Sequence, residues 1–269
     1  MNYQVDIMIV GDSKVGHEIL DKIASSKPSI KVAFISKAFK STTTHDYLNV
    51  EYFKDEVVFT DYKNRLFGCY LKNGTRVYGT HLIIASGLVY SPLVLNNQQV
   101  QTGVYNNADD ISKLAKNQPA VVVCNHNSDV ALALAVAKKY KQVYLCVGGT
   151  DIPYLTALNA KKLAKATNIA VLQNTSLVKA IIENNVLQKV ELDNYSTLNC
   201  AAIYIKTPAK PDVAFVSDKL IQKNSSGFLI TTENAESTLV PKCFAIGNCI
   251  PRCTKAMAQN LVKTVLNDF

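Results

Sequence analysis

Two stretches of this 269-residue chain repeat one order: an apolar run, a polar turn, then apolar residues at helical spacing. The first reads Asp6-Ile7-Met8-Ile9-Val10-Gly11-Asp12-Ser13-Lys14-Val15-Gly16. The second reads Ala120-Val121-Val122-Val123-Cys124-Asn125-His126-Asn127-Ser128-Asp129-Val130-Ala131. A short continuous apolar run bounded by turn signals fits a strand buried on both faces. Val15, Ile19, Leu20 and Ile23 then predict a helix over 14–25, and an Ala-, Leu- and Val-rich stretch predicts another over 128–139. A second buried strand closes each unit, at Lys31–Ile35 and at Gln142–Val147. Two strands joined by a helix run parallel, so the chain builds parallel sheets with helices on their faces.

The turns carry the chemistry. A dinucleotide-binding turn uses one glycine for a tight bend, one for backbone approach to the pyrophosphate, and one for helix–strand packing. The first unit keeps the outer two, Gly11 and Gly16, and puts Ser13 at the middle. The second keeps none: Asn125, Asn127 and Ala131 stand in the three places, and only the last is a tolerated variant. The fold is therefore more legible than the activity.

Further elements follow between and after these units. Ser41–His45 is a polar loop. Runs at 57–59, 66–71 and 76–78 alternate like a small antiparallel meander, with Lys72–Thr75 as a hairpin turn. His81–Ala85 is a buried strand ending in Ser86-Gly87, with Pro92 beyond. A short helix is expected over 109–116 and a longer one over 153–166. Strands are expected at 170–172, 177–183, 186–192, 201–206, 227–231 and 243–248. Asn184-Asn185 reads as a turn, and a helix closes the chain over 254–266.

Composition narrows the class. Hydrophobic residues make up 48% and charged residues 19%, the range of a globular chain rather than a disordered one. No apolar run is long enough to span a bilayer and no secretory signal opens the chain, so a cytoplasmic protein with no membrane partner is expected. Seven scattered cysteines do not form a disulfide framework. Net charge is +8, from 29 Lys and Arg against 21 Asp and Glu. Dispersed lysine on helices reads first as a solvated surface and second as a contact for an acidic partner or electron carrier. No aromatic platform supports nucleic-acid binding.

The order of these landmarks resembles the low-molecular-weight thioredoxin reductases, within the pyridine nucleotide-disulfide oxidoreductases that bind FAD and NAD(P)H. Ala85-Ser86-Gly87 with Pro92 fits the family's Ala-Thr-Gly-x-x-x-x-Pro turn. Pro241-Lys242-Cys243-Phe244-Ala245-Ile246-Gly247-Asn248 fits its Pro-x-x-Phe-Ala-x-Gly-Asp return, except for Asn248. The resemblance implies an α/β fold of two Rossmann-like three-layer domains, parallel sheets with small antiparallel meanders. Residues 1–103 with 213–269 would form a discontinuous FAD-binding-like domain, and 104–212 an inserted NAD(P)-binding-like domain. It also implies a homodimer.

The departures from the family bear on function. Its Cys-x-x-Cys is missing: Asn106 and Asp109 stand about where the sulfurs would be, and neither can exchange a disulfide. Cys249 and Cys253 are the only close pair and read as incidental thiols. The basic run that would hold a 2′-phosphate is replaced by Leu145–Gly149, and asparagine side chains crowd the second turn, so NAD(P)H is not expected. At the first site Gly11, Ser13, Lys14, Gly16, Ala85, Ser86, Gly87, Gly247 and Asn248 remain as candidate FAD contacts. The acid that would hold the adenosine ribose is replaced by Ser36-Lys37, where Lys37 could meet a phosphate. The expectation is an FAD-binding oxidoreductase-like protein without the redox disulfide. The alternative is a cofactor-free protein that reuses the scaffold for binding or structure. Gly11→Val is expected to abolish flavin binding while leaving the chain folded.

Overall fold

The computed structural model describes residues 1–37, 47–106 and 117–269. The polar loop at 41–45 and the short helix expected over 109–116 lie outside the described residues. The chain separates into two units, Met1–Val89 with Ala209–Phe269, and Tyr90–Pro208.

The first unit opens with β1 (Asn2–Gln4), β2 (Ile7–Val10), α1 (Lys14–Ser26), β3 (Val32–Ser36) and β4 (Val50–Lys54). Ser13 caps α1, its hydroxyl accepting from Gly16 N at 3.1 Å, and Ile19, Leu20, Ile23 and Ala24 form the buried face. Pro28 disfavours helical geometry at Lys27, where α1 ends. The meander is β5 (Val57–Lys63), β6 (Leu66–Leu71) and β7 (Arg76–Gly79), followed by β8 (His81–Ile84) and β9 (Leu88–Tyr90).

The second unit begins with the hairpin β10 (Leu93–Leu95) and β11 (Gln98–Val100), turned by Asn96 and Asn97 at positive φ. Then come β12 (Val104–Tyr105), β13 (Pro119–Cys124), α2 (Asn127–Val136), β14 (Gln142–Val147), α3 (Ala157–Lys165) and β15 (Ile169–Leu172). A second meander, β16 (Leu177–Glu183), β17 (Val186–Leu192) and β18 (Thr197–Asn199), leads to β19 (Ala202–Tyr204). The chain re-enters the first unit through β20 (Ala209–Pro211) and ends in β21 (Cys243–Ala245) and α4 (Lys255–Asn267).

The two units share one plan. The first carries a parallel sheet ordered β21-β8-β2-β3-β4, and the second a parallel sheet ordered β12-β19-β13-β14-β15. In both, a three-stranded antiparallel meander interrupts the chain before a strand returns beside the first one. Alternation along β13 proves the layering of the second unit. Ala120, Val122 and Cys124 pack with α2, whereas Val121 packs with Leu187 and Val190 of the meander. Among the described residues, no helix is long and apolar enough to cross a membrane.

Several boundaries differ from expectation. The helix expected over 153–166 begins only at Ala157, because Tyr154 sits at φ +56 and Thr156 is the cap. The helix over 128–139 ends at Val136. Residues 227–231 form isolated bridges to Lys223 and Ser237 rather than a strand. Tyr90–Gly103 lies with the second unit, since Leu93, Leu95 and Val100 pack into its core.

Candidate functional site

Strands β21, β8, β2 and β3 run parallel, so the segments that follow them leave from one edge. The structure thereby brings most of the expected contacts together. Gly11 follows β2, Ala85-Ser86-Gly87 follow β8, Gly247-Asn248 follow β21, and Ser36-Lys37 end β3. The carboxyl edge of a parallel sheet, at the amino end of a helix, is where such folds receive ligands. Backbone bonds lock the edge: Ala85 N to Val10 O at 2.8 Å, Gly11 N to Ile35 O at 2.9 Å, and Ile246 N to Ile84 O at 2.9 Å.

The glycines here are needed for contact with protein. Gly11 has φ +115, and a Cβ on it would lie 2.5 Å from the backbone of Ala85 and Ser86. Gly16 would meet Gly11 O at 2.9 Å, and Gly247, at φ +83, would meet Val15 Cγ1 at 2.8 Å. This overturns the expectation for Gly11→Val. A side chain at 11 collides with the end of β8 and strains the backbone, so the substitution disturbs the fold before it tests a ligand.

Ser13 is engaged as the cap of α1, and Lys14 stands exposed on its first turn. Asp12 of the same turn pairs with His17. Ser86 Oγ is buried and finds no hydrogen-bond partner among the described residues. Asn248 is exposed in a single 3-10 turn, Gly247–Cys249. Ser36 is half-buried at the end of β3. Lys37 Nζ lies 3.1 Å from Glu56 Oε1 and 3.3 Å from Asp212 Oδ2. Burial pulls the Lys37 pKa down, but its bonds to both carboxylates outweigh that and raise it. The lysine expected to meet a phosphate is thus already neutralised by two acids that its sequence neighbourhood does not reveal.

The matching turn of the second unit is filled from within. Asp129 is buried in the first turn of α2, and its Oδ2 accepts from Asn125 N at 2.9 Å and His126 N at 3.0 Å. Its other oxygen lies 3.3 Å from Lys206 Nζ. Asn127 Oδ1 accepts from Thr156 N and from Asn159 Nδ2, both at 3.0 Å, so it ties α2 to α3. The third glycine place, five residues after Asn125, falls on fully buried Val130 rather than Ala131. Asp129 closes a capping box with His126 in the structure, but His126-x-x-Asp129 departs from the usual Ser/Thr-x-x-Glu/Gln pattern, so its sequence signal is weak.

Six of the seven cysteines are held as buried thiols. Cys69, Cys124, Cys146, Cys200, Cys243 and Cys249 are buried and unbridged, and Cys253 is exposed. Burial raises the Cys249 thiol to about 11 and that of Cys243 to about 12. Asn106 accepts from Thr207 Oγ1 at 3.1 Å, and Asp109 lies outside the described residues. No metal-binding group of His, Cys, Asp and Glu occurs among the described residues.

The model of the family "Pyridine nucleotide-disulphide oxidoreductase" matches residues 15–247. A thioredoxin reductase from Mycoplasma genitalium is 25% identical over 217 residues, covering 77% of this chain and 67% of that protein. The thioredoxin reductase of Lactococcus lactis superposes with a TM-score of 0.70 over 98% of each chain at 16% identity. That of T. acidophilum does so with 0.70 over 98% of this chain and 97% of its own, at 15% identity. With its paired parallel sheets, its matching landmarks and a family match over most of its length, the chain belongs to the pyridine nucleotide-disulphide oxidoreductases, as a thioredoxin reductase-like member.

Proposed function

We propose that this chain binds FAD in its first unit, does not bind NAD(P)H in its second, and acts without the family's redox disulfide. The family uses both FAD and NADPH. One observation carries the reading: at the second turn–helix junction a side-chain carboxylate already takes the turn amides that a diphosphate would use. At α2 the buried Asp129 carboxylate already accepts from two turn amides. A diphosphate there would have to displace that carboxylate from the turn amides and from Lys206. At α1 the cap is neutral Ser13, Lys14 adds positive charge, and Asp12 is paired with His17.

The first site fits the group in two respects. Gly11 itself presents no side chain where the turn rests on Ala85 and Ser86, and Ser86 Oγ is a buried hydroxyl that finds no partner among the described residues. The amino end of α1 would hold the diphosphate, the Ser86 hydroxyl would bond the flavin side, and Asn248 would bond a neutral hydroxyl. Bound flavin supplies two-electron acceptance and release; the protein supplies position and charge. Lys37, tied to Glu56 and Asp212, favours the second reading, a cofactor-free protein that binds a partner, because no acid replaces the family's ribose contact there.

Absorbance of the purified protein separates these readings. About one flavin per chain, unbleached by NADH or NADPH under anaerobic conditions yet bleached by dithionite, supports the proposal. Rapid bleaching by either nucleotide refutes the closed second site. Colourless protein that takes up no added FAD supports the cofactor-free reading.

A further inference from the structure

The lysines are not as evenly dispersed as composition implies. Between residues 130 and 178 six lysines face a single acid, Asp151. They belong to two places that the fold joins. Lys138, Lys139 and Lys141 follow the end of α2, and Lys161, Lys162 and Lys165 lie on α3. Asn168, just past α3, donates to Ala137 O at 2.8 Å and Tyr140 O at 3.1 Å, which holds the two ends side by side. All six lysines are exposed, and Lys138, Lys141, Lys161, Lys162 and Lys165 form no ion pair with a described residue.

Helix α3 is unusual in burying none of its residues. Its inner side is only half-buried, through Asn159, Ala160 and Leu163. Its outer side follows i, i+3, i+4, i+7 spacing: Leu158, Lys161, Lys162 and Lys165. Leu158 is 62% exposed, and in the loop before it Tyr154 is 82% exposed. Tyr154 also holds φ +56, a backbone state that bulky L-residues rarely adopt, and its ring rests on exposed His126 at 5.3 Å. The chain thus accepts strain to present an aromatic ring to solvent, beside an exposed leucine and a lysine row.

We infer that the outer face of α3, with Tyr154 and the end of α2, docks an acidic protein whose carboxylates lie to one side of an apolar patch. Here the exposed apolar pair lies at the amino end of α3, and the lysines lie along it and beyond its carboxyl end. Aromatic and apolar anchors flanked by charge are common in protein interfaces, and tyrosine is a frequent anchor. A nucleic-acid surface would instead interleave stacking aromatics and arginine, and this face has one aromatic and no arginine. The surface lies entirely in the second unit and is independent of flavin content in the first.

The test measures binding of the whole chain to a fluorescent peptide that interleaves glutamate with leucine and phenylalanine. A peptide with glutamine for glutamate is the control. Binding is expected at about 50 mM salt and about tenfold weaker at about 300 mM. Lys161→Glu with Lys162→Glu and Lys165→Glu should weaken it by about tenfold or more, and Tyr154→Ala with Leu158→Ala by a similar factor. Lys54→Glu with Lys63→Glu and Lys255→Glu removes the same charge from exposed sites of the first unit and should change binding less than about threefold. Glutamate on the last turn of α3 opposes the helix dipole and should lower the melting temperature slightly, so binding is compared at a temperature where every variant is folded. The inference is overturned if the peptide does not bind, if the two lysine triples act alike, or if the Tyr154 and Leu158 pair has no effect. It is equally overturned if short single-stranded DNA or phosphatidylserine-rich vesicles bind more tightly than the peptide.

Discussion

Gly11 illustrates how a motif glycine can serve the fold before it serves a ligand. Its positive φ and its missing Cβ let the turn after β2 rest on the end of β8. Gly11→Ala should therefore destabilise the chain by roughly 2–5 kcal/mol, the combined scale of a strained backbone and an overpacked contact. Chemical denaturation checks this, and an alanine variant as stable as its parent would mean the turn relaxes freely. The cleaner probe of the flavin site is Ser13. Ser13→Gly should lower stability by only a few tenths of a kcal/mol, because glycine is a tolerated cap. It also restores the middle glycine, so FAD affinity should rise. A titration showing weaker FAD binding in that variant contradicts the assignment of α1 to the diphosphate. Sequence revealed Gly11, Gly16 and Gly247 because their positions demand an absent side chain. It did not reveal the pairing of Lys37, since one partner lies 19 positions away and the other far along the chain, at Asp212.

Elements were legible where period and burial agreed. The strands expected at 5–10 and at Gln142–Val147 are found at Ile7–Val10 and Gln142–Val147, because each has a parallel neighbour on both sides. Val50–Lys54 escaped notice since it is an edge strand with exposed positions and no continuous apolar run. The tie between β8 and α4 was equally invisible, being made by single residues far apart in sequence. His81 is buried, its Nε2 lies 2.9 Å from Asp268 Oδ2, and Lys242 Nζ lies 3.1 Å from the same carboxylate oxygen. Burial lowers the His81 pKa, with Asp268 pulling the other way. The unfolded chain therefore binds a proton at His81 more readily than the folded one. The resulting stability is present above pH about 6.5 and is lost as pH falls toward the lower folded value. The Asp268 pKa is lowered, by the bond to His81 first and by Lys242 after burial is counted. Its contribution is lost at more acid pH, as the carboxylate protonates. Melting temperature against pH should show the first loss in mildly acid solution. In His81→Gln that limb should flatten; an unchanged profile would assign the loss to other groups.

Across the whole chain, the same plan is used twice: parallel strands, a helix after the first of them, an antiparallel meander and a returning strand. The buried residues divide accordingly. One core gathers Ile9, Phe34, Ile83 and Phe244, while Val122, Val136, Val143 and Tyr204 belong to another. Nothing in a shared plan requires shared chemistry, and the two helix starts already differ: Ser13 caps α1 through its hydroxyl, whereas at α2 His126 is the cap and Asp129, in the first turn, bonds back to the turn. Separate cores make a specific demand on stability. Val143 is fully buried between β13 and β15, so Val143→Ala should cost about 1–3 kcal/mol through lost burial and a residual cavity. If the units open independently, that loss stays within the second core. Hydrogen exchange should then quicken at the amides of β13, β14 and β19 and remain unchanged at those of β2, β3 and β8. Equal quickening in both sets would show that the two cores unfold as one cooperative structure, and the duplicated plan would then describe geometry without describing energetics.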